Sequence, residues 1–272
     1  MRGAIIGDVI GSVFEHHNIS YKDFPLFVPY HGHLQRPTDD SILTCAVALK
    51  FLKDAKCPEA DIFTAEPVET FKDAIYLIGN MYPDAGYGKG FRSWLSSDDP
   101  EPYGSFGNGA AMRCSPAGWV AKTAEEAYTL GVETTLCTHN HEESYKAAGL
   151  VAELIFRARN GESKEALKER ASRDYTVENV FEEIEKGRFH VSCQRTMPVA
   201  LQAFFESTSL EDAIRTAISY GGDSDTIAAI TGSIAEAYYG LDEYLWVHTT
   251  SYLQDELLRY IIEPFCRMYC GD

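Results

Sequence analysis

Two segments of the chain begin with acidic and hydroxyl-bearing residues and continue as apolar runs with helical periodicity. The first begins at Thr38-Asp39-Asp40, and residues 39–53 are apolar almost all round, which predicts a central buried helix. The second begins at Asp223-Ser224-Asp225-Thr226, and residues 226–239 place isoleucines on one helical face. Gly221-Gly222 precedes it and gives the backbone the freedom to turn. We therefore expect both acidic clusters at helix N-termini.

Helical periodicity also dominates the rest of the sequence, which contains no series of alternating strands separated by hairpin turns. With 272 residues and 45% hydrophobic content, the chain can bury a sizeable core. We expect a nearly all-α fold that forms one domain over residues 1–272. Two long segments, 16–37 and 82–108, show no periodicity and are expected to be functional loops. Further helices are predicted over residues 3–15, 123–137, 142–159 and 210–219.

The first of these helices carries Gly3, Gly7 and Gly11, which are four residues apart and form one smooth stripe. Such a stripe allows another backbone or a ligand to approach closely. Asp8 interrupts the apolar run over residues 4–14, which is too short to span a bilayer and has no cleavage site after it. We therefore expect neither a signal peptide nor a membrane partner.

Charge and cysteine content narrow the class of protein further. The net charge of −17 opposes a phosphate backbone, so we expect no nucleic-acid partner. The seven cysteines form an odd set without a CxxC pair and lie mostly in apolar stretches. They predict reduced, buried thiols and a cytoplasmic location.

The two acidic clusters have an ordinary and a functional interpretation. Asp and Thr are favoured helix caps, and acids at this position are stabilised by the helix dipole by roughly 0.3–1 kcal/mol. Taken singly, each cluster is explained as a cap. Taken together they combine carboxylates with threonine hydroxyls, and adjacent buried acids repel unless a cation lies between them. Oxygen ligands favour magnesium, manganese or calcium, and four carboxylates suffice for two such ions.

A glycine-rich turn over residues 104–109 enters the segment 110–113. Backbone amides in such a turn can cradle a diphosphate, and an aromatic ring can stack on a base or ribose, but an ordinary loop explains the same pattern. Downstream, we interpret His139 as a substrate contact and His141 as structural. A cysteine nucleophile paired with either histidine is possible from the residue types, but no spacing supports it.

Read in order, these motifs resemble those of the ADP-ribosylglycohydrolase family. They run from Gly3-Ala4-Ile5-Ile6-Gly7-Asp8 to Trp246, so the resemblance covers most of the chain. The motifs in between are Glu15, Thr38-Asp39-Asp40, Gly107-Asn108-Gly109, Thr138-His139, Gly221-Gly222-Asp223-Ser224-Asp225-Thr226 and Tyr239-Gly240. As a set they are specific.

The resemblance implies a compact orthogonal helical bundle of the ADP-ribosylglycohydrolase type around two Mg²⁺ or Mn²⁺ ions. The substrate implied is an ADP-ribosylated protein or a small-molecule ADP-ribosyl compound. The residues matching metal ligands are Thr38, Asp39, Asp40, Asp223, Asp225 and Thr226. The residues matching positions near ADP-ribose are Gly104, Ser105, Phe106, Gly107, Asn108 and His139.

Glu15 matches a mobile family glutamate close to the scissile bond. Cleaving a ribosyl glycosidic bond passes through an oxocarbenium-like state and needs proton transfer, which we assign to Glu15. With Asp39 and Asp225 it forms the predicted catalytic set. Two alternatives remain for Glu15. It could only orient the substrate, or it could be a surface acid that ends the first helix.

The sequence departs from the family pattern at Ser41, where a second threonine is common. Serine keeps the hydroxyl, so this departure bears only on metal affinity. The histidine-rich stretch between Glu15 and Thr38 resembles the family more loosely, so the acceptor of the ADP-ribosyl group is not predicted.

Two other functions fit the same residues. A dinuclear phosphohydrolase would attack the diphosphate instead of the glycosidic bond. A non-catalytic relative would bind ADP-ribose without cleaving it, although all six predicted ligand positions carry oxygen donors.

Overall fold

The computed structural model describes residues 1–177 and 189–271, and its regular secondary structure there is helical. The first ten helices are α1 Arg2–Gly11, α2 Asp39–Asp54, α3 Pro58–Phe63, α4 Phe71–Met81, α5 Lys89–Leu95, α6 Gly109–Met112, α7 Ser115–Val120, α8 Ala124–Glu133, α9 Glu142–Arg159 and α10 Lys164–Ala171. The later helices are α11 Cys193–Glu206, α12 Leu210–Ser219, α13 Ser224–Tyr239, α14 Glu243–Thr250, α15 Asp255–Leu257 and α16 Glu263–Tyr269, with a π-helical turn at Leu258–Ile262. The all-α prediction is confirmed.

Local capping chemistry explains where several helices begin. The Thr123 side chain caps α8 by accepting from the backbone N–H of Glu126, at 3.0 Å. The Ser209 side chain caps α12 in the same way. Both caps follow the preference of hydroxyl side chains for this position. Gly221 and Gly222 have φ of +71° and +84°, and their turn separates α12 from α13 as predicted.

Three boundaries differ from the sequence prediction. The helix predicted over residues 3–15 ends at Gly11, where the bond from Phe14 N–H to Gly11 O tightens the chain into turns. The helix predicted over 123–137 ends at Glu133, because two threonine hydroxyls then bond to carbonyls of its last turn. The segment 82–108 contains helix α5, whose buried face consists of Phe91, Trp94 and Leu95.

The glycine stripe of α1 is packed against the backbone of α13. A Cβ added at Gly3 would lie 2.2 Å from the carbonyl oxygen of Gly232, and one added at Gly7 would lie 2.1 Å from that of Ala228. At Gly11 the nearest atom would be Cα of Asp225, at 2.6 Å. The two helices therefore run antiparallel in close contact, and the end of α1 meets the acidic beginning of α13.

The core around this pair is continuous and contains most of the cysteines. Apolar side chains from Met1 to Cys266 form one buried cluster, to which α2, α9 and α13 contribute throughout their lengths. All seven cysteines are free thiols and five of them are buried, as the sequence predicts. Within the described residues, every helix falls short of the length and apolarity required to cross a membrane.

We expect Gly7→Ala to lower the free energy of unfolding by about 1–3 kcal/mol, the usual range for overpacking a close contact. The added methyl group would overlap backbone atoms of α13, which cannot move aside as a flexible side chain could. Chemical denaturation of both variants measures the effect. The control is Gly88→Ala, where a Cβ would meet nothing within 4 Å. Equal stability of the two variants would contradict the close backbone contact between α1 and α13.

Candidate metal centre and substrate cavity

The two acidic clusters meet because the N-termini of α2 and α13 face the same space. Thr226 at the start of α13 donates its hydroxyl to Oδ2 of Asp40 in α2, at 3.1 Å. Asp223, Asp225 and Thr226 are buried, with between 4% and 6% of their surface exposed. Asp40 and Thr226 are 186 positions apart in the sequence, and the fold brings them into direct contact.

Two groups of carboxylates have ligand oxygens that all lie within 4.8 Å of one another. One group is Asp8, Asp40 and Asp225, and the other is Glu15, Asp223 and Asp225. Asp225 belongs to both, so five carboxylates form two adjoining clusters that share one member. These carboxylates could hold metal cations, and Asp225 is available to both groups.

Asp8 is the site residue that sequence reasoning did not identify as part of the cluster. It is fully buried in α1 and reaches the beginning of α2. Its carboxylate accepts from the backbone N–H groups of Thr38 and Ser41, at 2.9 and 3.0 Å, and from both of their hydroxyls. Asp8 therefore caps α2 from another helix, with Ser41 supplying one of the hydroxyls. The signal in the sequence was a single acid inside an otherwise apolar helix.

Crowding of the buried acids shifts their ionisation. Burial, followed by the charge of Asp225, raises the pKa of Asp8 to about 6 and that of Asp39 to about 8. Burial and the neighbouring Glu15 raise the pKa of Asp225 to about 6. The pKa values of Asp40 and Asp223 are also raised well above the ordinary range, chiefly by burial and then by Asp225. The cluster therefore lacks a compensating positive charge.

The residues fit a metal centre on two further observations. Oδ1 of Asp40 is buried and has no hydrogen-bond partner among the described residues. A buried carboxylate oxygen without a donor is costly unless something binds it. The donors are all oxygens, which suits magnesium or manganese better than zinc or copper.

Asp39 lies outside both groups of three but lines the same cavity. Thr38 is turned toward Asp8, to which its hydroxyl donates at 2.6 Å.

A cavity of about 520 Å³ opens above the acids. This volume lies within the roughly 300–1,000 Å³ typical of small-molecule sites. Four of the residues predicted near ADP-ribose line it, namely Ser105, Gly107, Asn108 and His139. Glu15 also lines it, and 27% of its side chain is exposed, so it is the most open of the clustered acids.

Two predicted substrate residues do not line this cavity. The amide of Gly104 donates to Asn140 Oδ1, at 2.6 Å, which anchors the start of the loop. Phe106 is 51% exposed and its ring lies 5.4 Å from that of His141. The cavity contains aromatic residues that sequence reasoning did not select, including Tyr87, Phe91 and Phe189.

The loop is tied to the acidic cluster through Asn108. Its side-chain amide donates to Oδ2 of Asp223, at 2.6 Å, and to the hydroxyl of Thr196, at 3.2 Å. Its backbone N–H donates to Val191 O, at 2.8 Å. The glycines on either side lie against the ring of His139, so one short turn positions both the acids and the histidine.

Known proteins resemble this chain in both sequence and fold. The sequence profile of the family described as ADP-ribosylglycohydrolase matches residues 1–264. The chain belongs to the ADP-ribosylglycohydrolase family. A solved chain titled ADP-ribosylglycohydrolase-related protein complex superposes with a TM-score of 0.64 at 23% identity, covering 96% of this chain and 90% of that one. The predicted fold type is therefore confirmed.

Curated members of the family are similar over different lengths. ADP-ribosyl-[dinitrogen reductase] glycohydrolase of Rhodospirillum rubrum is 29% identical over 57% of this chain, and the match spans 54% of that enzyme. Human ADP-ribosylhydrolase ARH3 is 25% identical over 89% of this chain and 85% of its own length. ADP-ribosylarginine hydrolase Tri1 of Pseudomonas putida (strain GB-1) is 25% identical over 88% and 69%.

We predict that Mg²⁺ raises the melting temperature, and that the rise grows as the pH increases from about 5 to about 8. When the pKa of a carboxyl is higher in the folded state than in the unfolded state, the folded protein loses stability as the pH rises from the unfolded-state pKa of 3.8 through the folded-state pKa. The folded-state pKa is about 6 for Asp8 and Asp225 and about 8 for Asp39. The metal-free protein is therefore destabilised over this range, while metal binding strengthens as protons leave. Thermal melts with EDTA or Mg²⁺ at each pH measure this. A rise independent of pH would contradict it.

Proposed function

We propose that this protein is a metal-dependent ADP-ribosylhydrolase that cleaves the glycosidic bond between ADP-ribose and a modified acceptor. The observation that carries the proposal is the sharing of Asp225 by two carboxylate clusters at the base of a cavity in a chain of this family. The names of the relatives point to ADP-ribosylated proteins, including arginine-linked ones. Serine-linked and small-molecule ADP-ribosyl compounds are the other candidates.

Two Mg²⁺ or Mn²⁺ ions would be held by Asp8, Asp40, Asp223 and Asp225, with Glu15, Asp39, Thr38 and Thr226 beside them. When bound, such ions polarise substrate oxygens and orient a water molecule. The chain's own residues then have separate tasks. Asn108 fixes Asp223, and Asp8 fixes the start of α2, so the carboxylates are held in place before substrate enters.

Hydrolysis breaks the bond from the anomeric carbon of ribose to the acceptor and forms a bond from that carbon to a water oxygen. The water proton must leave, and the acceptor atom must gain one. We assign this proton transfer to Glu15, since its side chain faces the cavity, retains access to solvent and lies beside Asp223 and Asp225. The neighbouring His16 Nε2 lies 3.7 Å from Glu15 Oε1.

The first test of this function is product analysis. Incubating the protein with defined arginine- and serine-linked ADP-ribosyl peptides and Mg²⁺ or Mn²⁺ should release intact ADP-ribose. AMP as the primary product would identify a phosphohydrolase that attacks the diphosphate. Binding without turnover, with either metal and either linkage, would identify an ADP-ribose-binding protein and overturn the proposal.

We expect Asp225→Asn to reduce turnover more than hundredfold, beyond the roughly 10–100-fold typical of residues that only support ligands. The substitution removes the carboxylate that both clusters share. Asp39→Asn should also abolish most activity. Because Asp39 lies outside both clusters, this variant should retain more metal than Asp225→Asn does. Metal content after gel filtration, measured beside turnover, separates the two. The control is Asp98→Asn on the exposed surface. Undiminished metal content in Asp225→Asn would contradict the assignment.

For Glu15→Gln we expect turnover to fall by about 10²–10⁴-fold, the usual contribution of general acid–base catalysis, with ADP-ribose binding retained. Glutamine preserves the size of the side chain and cannot exchange a proton. Single-turnover rates and calorimetric titration with ADP-ribose measure the two effects. Glu133→Gln, outside the cavity, is the control. A loss confined to binding would assign Glu15 an orienting role.

A further inference from the structure

A buried cation, Arg113, lies beside the histidine of the cavity and lines the same cavity. Arg113 is fully buried, and no acidic side chain in residues 1–177 or 189–271 forms an ion pair with it. Its Nη2 donates to the backbone carbonyl of Thr134, at 3.1 Å, and to Oγ1 of Thr138, at 2.7 Å. Thr134 is the C-cap of α8, where a positive charge is favoured by the helix dipole. These two bonds satisfy Nη2, whereas Nε and Nη1 are buried without a hydrogen-bond partner among the described residues.

The hydroxyl of Thr138 that accepts from Arg113 also contacts the histidine. Its Oγ1 lies 2.7 Å from Nδ1 of His139 and is itself fully buried. A guanidinium can only donate, so the oxygen of Thr138 acts as an acceptor toward Arg113. The hydroxyl hydrogen is then free to be donated, and Nδ1 is the hydrogen-bond partner that the structure gives it. To receive this bond, Nδ1 must carry a lone pair.

Burial and the cation of Arg113 both disfavour a charged imidazole. They hold the pKa of His139 well below its ordinary value of 6.5, burial being the larger cause. A neutral imidazole with a lone pair on Nδ1 carries its proton on Nε2. The backbone N–H of His139 donates to Thr135 O, at 2.8 Å, which anchors the residue at its other end.

The protonated nitrogen faces the glycine loop and the cavity. A Cβ at Gly109 would lie 3.1 Å from Nε2, and one at Gly107 would lie 3.4 Å from it. Within the described part of the chain, no hydrogen bond to Nε2 is formed. His139 lines the cavity that also contains Glu15 and Asp225.

We propose that Arg113 and Thr138 are positioning residues that lock His139 into the neutral tautomer protonated on Nε2. His139 then acts as a fixed hydrogen-bond donor to an acceptor oxygen of the ADP-ribosyl group. It does not exchange protons with the substrate, which leaves that task to Glu15. The role at the substrate rests on the proposed function, whereas the tautomer itself is a property of the free protein.

The tautomer is measured by NMR of the protein labelled with ¹⁵N-histidine and supplied with Mg²⁺. The signals of His139 are assigned by their loss in His139→Gln. We expect Nδ1 to appear as an unprotonated nitrogen and Nε2 as a protonated one. Thr138→Val keeps the shape of the side chain but removes the hydroxyl, so His139 should shift to a mixture of tautomers or to protonated Nδ1. Thr138→Ser should restore the wild-type signals.

Thr249→Val is the matched control, because Thr249 is fully buried, its hydroxyl donates to Leu245 O, and it does not line the cavity. It should leave the His139 signals unchanged. In calorimetric titrations with ADP-ribose, Thr138→Val should weaken binding about fivefold to tenfold, which corresponds to one correctly oriented hydrogen bond. Thr138→Ser and Thr249→Val should bind as the wild type does.

Protonated Nδ1 in the wild type would overturn the proposal, and so would a Thr138→Val spectrum that retains the wild-type tautomer. Wild-type affinity in a Thr138→Val protein whose tautomer has changed would overturn the role of the tautomer at the substrate. Failure of the wild type to bind ADP-ribose would instead overturn the proposed function, and the tautomer would still be read from the spectrum.

Discussion

The close contact between α1 and α13 determines the geometry of everything around the acids. Because glycines on α1 allow the two backbones to touch, the end of α1 is placed against the start of α13. This puts Asp8 within reach of both Asp225 and the N-terminus of α2. A side chain in the interface would push the helices apart, and the carboxylates would then no longer converge. The glycine packing between α1 and α13 therefore also sets the positions of the carboxylates at the site.

Local interactions account for the parts of this structure that the sequence predicts well. Thr38, Ser209 and Gly221-Gly222 act on residues within a few positions of themselves, so their roles as caps and turns can be read directly. The meeting of Asp40 with Thr226 is different, since nothing local brings them together. The combined oxygen chemistry of the two clusters predicted one shared centre, the resemblance of the whole set of motifs implied the same, and the contact now agrees with both.

The roles that sequence reasoning missed belong to polar residues embedded in apolar helices or turns. Asp8 was noticed as an interruption of an apolar run and as the last residue of a family motif, but it was not assigned to the metal site. Arg113 closes an equally apolar segment and is fully buried. Burying a charge is costly, so a lone charged residue in such a run is itself a signal that a tertiary partner exists. The identity of that partner depends on the fold and cannot be read from spacing.

These two residues also give the site two chemically different halves. On one side, buried aspartates are crowded until their pKa values rise, an arrangement that a cation would relieve. On the other side, a buried guanidinium acts through Thr138 on His139, whose free nitrogen faces the cavity as a donor. The turn Gly107-Asn108-Gly109 joins the halves, since Asn108 bonds Asp223 while its neighbours lie against His139. A ligand that presents hydroxyls to cations and acceptor oxygens to a donor matches both halves at once, and an ADP-ribosyl group has this composition.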